Sequence, residues 1–212
     1  MRILNLYAGL GGNRQLIEGH DIVAVEFDPK IAALYAKQFP NDEVVVGDAH
    51  DYLLNNFQDF DMIWSSPPCQ SHSRMIRSGK NRKARFTDLK LYEEILFLNH
   101  NFKGRWVVEN VRPFYEPLIE PSAVIGRHVI WSSEEKEAFC GVSEHKTPSD
   151  FINLTNIAGM RKLQDWLNIH YEKPIYYGDN HCPAQILRNC VHPIMGKAIF
   201  DAVVNNKKET QA

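Results

Sequence analysis

Short β-branched runs alternate with helical stretches along residues 2–109, and few folds accept that rhythm. Arg2–Tyr7, Asp21–Glu26, Glu43–Val46, Asp61–Trp64 and Trp106–Glu109 each read as strands. Between them, Asn13–Glu18, the stretch after Asp28-Pro29, Asp51–Asn55 and Leu89–Asn99 read as helices. Asp28 is placed as an N-cap and Pro29 at the first helical position, after which Ile31, Leu34 and Tyr35 share one face. Leu91, Ile95 and Leu98 do the same in the later helix. The alternation predicts an α/β fold: a parallel sheet with helices on both faces and ligands beyond the carboxyl ends of its strands. Beyond Trp131 the pattern breaks. Ser132–Asn156 is polar and poorly periodic, Ile194–Val204 returns to helical spacing, and Asn205–Ala212 reads as a polar tail.

The 212 residues suffice for one domain, and 44% apolar with 24% charged residues is the balance of a soluble globular chain. A net charge of −2 argues against a protein that coats nucleic acid by bulk positive charge, and leaves a local basic patch open. No apolar run approaches the roughly 20 residues needed to cross a bilayer. The N-terminus reads as a strand, without the apolar core or cleavage site of a leader. Cys69, Cys140, Cys182 and Cys190 are irregularly spaced, which argues against a disulfide framework. His181, Cys182, Cys190 and His192 match no compact zinc spacing, so no metal is expected. A cytoplasmic, reduced monomer is the expectation.

Three strand ends carry ligand-binding residues. Ala8-Gly9-Leu10-Gly11-Gly12 follows the first strand, where glycines permit a tight turn and close approach to the backbone. A dinucleotide site would want a third glycine at position 14, and Arg14 stands there, so a diphosphate cradle is not indicated. Glu26, ending the second strand, is placed to accept hydrogen bonds from a ribose. Asp48, in Val46-Gly47-Asp48, is similarly placed near an adenine. Together these ends suit a nucleoside cofactor lacking a diphosphate, such as S-adenosyl-L-methionine.

The fourth strand runs into Ser65-Ser66-Pro67-Pro68-Cys69-Gln70, where two prolines stiffen the backbone that presents a thiol. A free cysteine is more often a small buried hydrophobe. Here it stands on the ligand-bearing edge, where nucleophilic attack is the expected role. The next strand ends in Glu109-Asn110-Val111, and its carboxyl group supplies what a thiolate attacking an aromatic base requires, a hydrogen bond or proton for the ring.

With these segments in hand, the chain resembles the DNA cytosine-5 methyltransferase family. Tyr7-Ala8-Gly9-Leu10-Gly11-Gly12 is similar to its first motif, Pro67-Pro68-Cys69-Gln70 to its nucleophile motif, and Glu109-Asn110-Val111 to its glutamate motif. Gln185–Pro193 resembles the last motif, and Met160–Gln164 is a fainter match to the one before it. The resemblance implies a Rossmann-like methyltransferase sheet and an S-adenosyl-L-methionine cofactor held by Tyr7, Ala8, Gly9, Leu10, Gly11, Gly12, Glu26, Phe27, Asp48, Ala49, Pro68 and Asn189. It implies that Cys69 attacks C6 of a flipped-out cytosine, that Glu109 engages N3, and that Arg127 assists. The chain departs from the family pattern in three places. Arg127-His128 stands where two arginines separated by one residue are usual, Arg188 replaces a glycine, and His192 replaces a common proline.

From Arg74 to Lys90, seven basic residues stand against one acid directly after the cysteine. Gln70, Ser73, Arg74, Arg77, Lys80, Arg82, Lys83 and Arg85 are the expected contacts to double-stranded DNA, largely to phosphates, with Gly79 as a hinge. The motif order divides the chain into a catalytic core over 1–131, a reduced target-recognition region over 132–182, a closing motif and helix over 183–204, and a tail over 205–212. Trp166, Tyr171, Tyr176 and Tyr177 are expected to pack rather than to wedge bases. An RNA cytosine-5 methyltransferase of the same family and a catalytically silent DNA-binding protein on this fold are the alternatives. Enzymes that methylate exocyclic amines carry an aromatic after Pro-Pro, where this chain has Cys69.

Overall fold

Strands made of Val, Ile, Leu and Trp cannot leave a face to water, so they line up side by side and take cover on both sides. The computed structural model describes residues 1–74, 86–146, 148, 156–176 and 182–206. Arg77, Gly79, Lys80, Arg82, Lys83, Arg85, Tyr177 and His181 lie outside the described residues. β1 (Arg2–Leu6), β2 (Asp21–Glu26), β3 (Glu43–Val46), β4 (Met62–Ser65) and β5 (Arg105–Val111) pair in parallel. β6 (Ala123–Ile125) and β7 (His128–Ser132) form a hairpin, and β7 pairs antiparallel with β5. The sheet has the order β3-β2-β1-β4-β5-β7-β6. The expected doubly covered α/β sheet is present, with one correction: β7 runs against its neighbours, so the sheet is mixed.

Strand residues alternate between two cores. Leu4, Leu6, Ile63, Val108 and Trp131 face one side, packed with Leu53 of α2 (Ala49–Asn56) and Leu91, Ile95 and Leu98 of α3 (Lys90–Asn101). Ile3, Met62, Trp64, Val107 and Ile130 face the other, packed with Met195, Ile199, Phe200 and Val203 of α6 (Pro193–Val204). α1 (Pro29–Gln38) begins as expected, with Asp28 accepting from the Lys30 amide at 2.8 Å and Pro29 at its start. α4 (Ile157–Leu167) and α5 (Gln185–Arg188) build a smaller cluster that includes Leu10 and Ile31. Among the described residues, no helix is long and apolar enough to cross a membrane.

The helix expected over Asn13–Glu18 does not form. That segment is a chain of turns closed by Arg14 N–H to Gly11 O and Ile17 N–H to Arg14 O, both 3.0 Å. Two glycines lead into it, each costing about 1 kcal/mol in a helix. Tertiary contacts then fix its path. Arg14 grips Asp42 with two hydrogen bonds of 2.8 Å, and α6 passes so close that a Cβ at Gly196 would stand 2.7 Å from Asn13 Cα. The sheet face that such a helix would cover belongs to α6.

One buried side chain fixes the loops that leave this sheet. Glu94 of α3 is 0% exposed and accepts from Tyr7 Oη and Ser65 Oγ, both at 2.5 Å. Its carboxylate also meets His50 Nδ1 of α2 at 3.0 Å. Glu94→Gln presents an amide N–H to this set of donors and should destabilise the fold by about 2–3 kcal/mol in urea unfolding. The Glu94 hydrogen bond and charge raise the His50 pKa above 6.5, against the opposing pull of burial. The imidazolium form therefore stabilises the fold fully below pH 6.5, and that contribution disappears as pH rises through the raised value. The stability gap between wild type and His50→Asn, measured across pH 5.5 to 9, should shrink on the alkaline side (about 1 kcal/mol in scale); a gap that grows with pH contradicts this account.

Candidate active site

β1 and β4 are neighbours at the point where the strand order reverses, so the loops leaving their carboxyl ends part and open a crevice. The glycine loop follows β1 and the Pro-Pro-Cys loop follows β4. A cavity of about 1180 Å³ lies there. Its wall includes Tyr7, Ala8, Gly9, Leu10, Gly12, Glu26, Phe27, Pro68, Cys69, Gln70, Ser73, Glu109, Arg127 and Asn189, all expected from the sequence.

The glycine loop is set by hydrogen bonds and by close packing. Tyr7 holds a left-handed φ of 55°, a conformation costing roughly 1–3 kcal/mol for a residue of its size, and its hydroxyl is tied to Glu94. Gly9, also at φ 55°, donates its N–H to Glu26 Oε2 at 2.9 Å, and Asp28 donates to Glu26 Oε1 at the same distance. Each carboxylate oxygen keeps a further lone pair. Phe27, the next side chain, is 74% exposed. Gly12 is required by protein and not by ligand: a Cβ there would stand 2.4 Å from the Val191 carbonyl oxygen.

Gly11, Asp48, Ala49 and Arg74 lie outside the cavity wall. Gly11 faces the rings of Phe39 and Tyr35, and Ala49 is buried in the core beneath α2. Asp48 caps α2, accepting from the His50 amide at 2.8 Å, with Lys90 Nζ at 3.7 Å. Burial opposes its charge, but the two α2 amides and Lys90 prevail and hold its carboxyl below the ordinary value.

The cysteine loop is held from three directions. Cys69 O accepts from the amides of His72 at 3.0 Å and Ser73 at 2.9 Å, closing a turn after the prolines. Asn110, on β5, donates its side-chain N–H to Pro67 O at 2.9 Å, and Ser73 bridges to Pro113. Burial pushes the Cys69 thiol up from its ordinary value of 9.0. The negative charge of Glu109 adds to that shift, and Arg127 opposes it.

Glu109 is almost fully buried and meets His128 Nδ1 at 2.6 Å. Register explains the meeting. Glu109 pairs with Ile130, and His128, two positions along β7, projects from the same face. The tip of the β6–β7 hairpin, Gly126-Arg127, brings Arg127 to the cavity, where its Nε donates to His128 Nε2 at 3.2 Å and its Nη2 to Arg188 O at 3.1 Å. The family pattern left open whether Arg127 or His128 stands at its second arginine, and it did not indicate the contact between His128 and Glu109. Its signal was the hairpin register, which needs both strands placed before it can be read. The irregular region adds Glu144 and Lys146 to the cavity wall and α4 adds Trp166, and Glu144 lies directly over Gly126.

A depression of about 1660 Å³ lies elsewhere, lined by Arg14, Lys37, Arg161 and Tyr171 among others. It contains neither the thiol nor the buried carboxyl, so chemistry rather than size selects the site.

The family model for C-5 cytosine-specific DNA methylases matches residues 1–117. The human tRNA (cytosine(38)-C(5))-methyltransferase is 27% identical over 121 residues, 54% of this chain and 31% of that enzyme. The mouse enzyme of the same name is 27% identical over an equal length, 29% of its chain. The match thus spans less than a third of the length of these curated relatives. Among solved structures, a putative DNA modification methyltransferase from an E. coli prophage is 22% identical, covering 55% of this chain and 34% of its own, with a TM-score of 0.39. A mutant of Spodoptera frugiperda DNMT2 is 23% identical over 53% of this chain and 36% of its own, with a TM-score of 0.38.

The electrostatics of the thiol are open to a direct measurement. Because Glu109 raises the Cys69 pKa, Glu109→Gln should speed alkylation of Cys69 by iodoacetamide at pH 8, by a few-fold, as followed by peptide mass spectrometry. An unchanged or slower rate would show that the carboxylate does not act on the thiol.

Proposed function

The chain belongs to the C-5 cytosine-specific DNA methylase family, and on that premise we propose that it methylates C5 of cytosine in double-stranded DNA. The observation that carries the reading is the shared cavity: the Cys69 thiol and the buried Glu109 carboxyl open onto the space beside the glycine loop. S-adenosyl-L-methionine, the family's methyl donor, supplies an electrophilic methyl group when bound. The residues fit it. Glu26 retains acceptor capacity for ribose hydroxyls, the exposed Phe27 ring offers a stacking face, and at Gly9 the nearest atom to a Cβ is 3.9 Å away. Tyr7, Ala8, Leu10, Gly12, Pro68 and Asn189 complete the wall.

In this reading, Cys69 gives up its thiol proton to solvent and bonds through Sγ, as the thiolate, to C6 of an extruded cytosine, since C6 is closed to attack within a stacked duplex. The ring electrons move toward C5 while Glu109 delivers a proton to N3. Once C5 carries the methyl group, its proton leaves to a base. The electron pair restores the C5–C6 double bond and expels the thiolate, N3 returns its proton to Glu109, and Cys69 is regenerated. Glu109 then serves both ends of the reaction. Carrying a proton, it stops opposing the thiolate, and the same proton is the one N3 needs. Arg127 supports the thiolate from the cavity wall.

We assign residues 1–131 to the catalytic core, 132–182 to a reduced target-recognition region and 183–204 to the closing segment. Glu144, Lys146 and Trp166 at the cavity support the second assignment. In this reading Gln70, Ser73 and Arg74, beside Cys69 in the chain, meet the nucleic-acid backbone. The names of the curated relatives favour a second substrate, transfer RNA. Labelled methyl donor with duplex DNA and with transfer RNA in competition decides between them. Product in DNA alone supports the proposal; product in RNA alone replaces it with the second reading.

Wild-type protein should form a denaturation-resistant adduct with duplex DNA carrying 5-fluorocytosine, seen as a shifted band, and Cys69→Ser should form none and show no detectable turnover. Absence of any adduct on DNA and RNA would favour a silent binding protein. Base contacts discriminate by about 1–3 kcal/mol each, and the reduced recognition region has few side chains to make them. Bisulfite sequencing of DNA from expressing cells should therefore show a target of about four base pairs or fewer, or a degenerate one.

A further inference from the structure

Glu109 is held by a chain of hydrogen bonds whose direction is fixed by chemistry. A guanidinium has donors and no acceptor, so Arg127 Nε must donate to His128 Nε2 across 3.2 Å. A neutral imidazole that accepts at Nε2 carries its proton at Nδ1. That proton points at Glu109 Oε1, 2.6 Å away, inside a site where both residues are buried. The guanidinium is braced in turn by the Arg188 carbonyl, 3.1 Å from Nη2.

We propose that His128 is a positioning residue for the methylation reaction, locked by Arg127 into the Nδ1–H tautomer so that it occupies one oxygen of Glu109 and leaves the other to carry the proton for cytosine N3. The proposal rests on the role given to Glu109 above. A carboxyl group without this partner could rotate and present either oxygen; with it, only Oε2 remains to bear hydrogen toward the substrate. The imidazole, in the opposite tautomer, would turn a bare nitrogen toward a carboxylate, which repels it. Arg127 thereby acts at two places, supporting the Cys69 thiolate through its charge and Glu109 through the imidazole.

The tautomer is readable without substrate or turnover, by proton–nitrogen correlation spectra of the protein labelled with nitrogen-15 in histidine, assigned by loss of one ring system in His128→Gln. Nδ1–H with a bare Nε2 at pH 7.5 is expected; the reverse tautomer or a doubly protonated ring would overturn the proposal. Kinetics give the second arm. His128→Leu fills the same space without a donor and should lower kcat about 100-fold, with KM for S-adenosyl-L-methionine within about twofold. The Gln side chain can accept from Arg127 and donate to Glu109, so His128→Gln should recover to within about tenfold of wild type. Equal activity in the Leu variant, or a Gln variant no better than Leu, would reduce His128 to packing and sink the idea. Failure of the wild-type protein to methylate either DNA or transfer RNA would instead defeat the functional reading, and the spectra would still decide the tautomer.

Discussion

The Glu94 carboxylate, sealed from water on α3, is the joint on which the two loops of the crevice depend. Buried carboxylate oxygens must be met by donors, and here the donors come from places far apart in the chain: Tyr7 at the end of β1, Ser65 at the end of β4 and His50 on α2. Satisfying one side chain therefore sets three backbones. Tyr7 takes up its left-handed conformation where its hydroxyl reaches the carboxylate, and the glycine loop begins from that bend. Ser65 is the last residue before the rigid segment that carries Cys69. The crevice is shaped by this shared acceptor as much as by the strand order.

What could be read from the sequence was whatever depends on neighbours in the chain. The strands, the Asp28-Pro29 helix start, the glycine loop and the prolyl turn before Cys69 are local patterns with local causes. His128 and Glu94 depend on partners far away in the chain. The contact of His128 with Glu109 follows from pairing Val111 with His128 and Glu109 with Ile130, which no motif states. Glu94 sits beside Leu91, Ile95 and Leu98, and an acid on an apolar stripe was its only trace. The Asn13–Glu18 segment failed for the opposite reason: its local pattern favours helix, but α6 and Asp42 claim its surroundings.

Position 14 shows how one residue can answer a question about a ligand by serving the fold. Where a diphosphate site would need a third glycine, Arg14 reaches away from the crevice to Asp42, which also accepts from Tyr35 Oη at 2.9 Å. Gly12 likewise gives way to the Cys190 side chain and the Val191 backbone. The loop is thus narrowed by Cys190 and Val191 packed against it, and these two residues belong, with Gln185 and Asn189, to the cavity wall.

Asn110 and Glu109 are consecutive, and β5 turns them to opposite sides: one fastens the loop of Cys69, the other faces His128. A slip of β5 by one position against both β4 and β7 would exchange them, turning an amide toward His128 and a carboxylate toward the Pro67 carbonyl. Both halves of the site would fail in the same event. Half-correct pairing thus builds no half of the site, and the finished site is a proofreading mark for its own assembly.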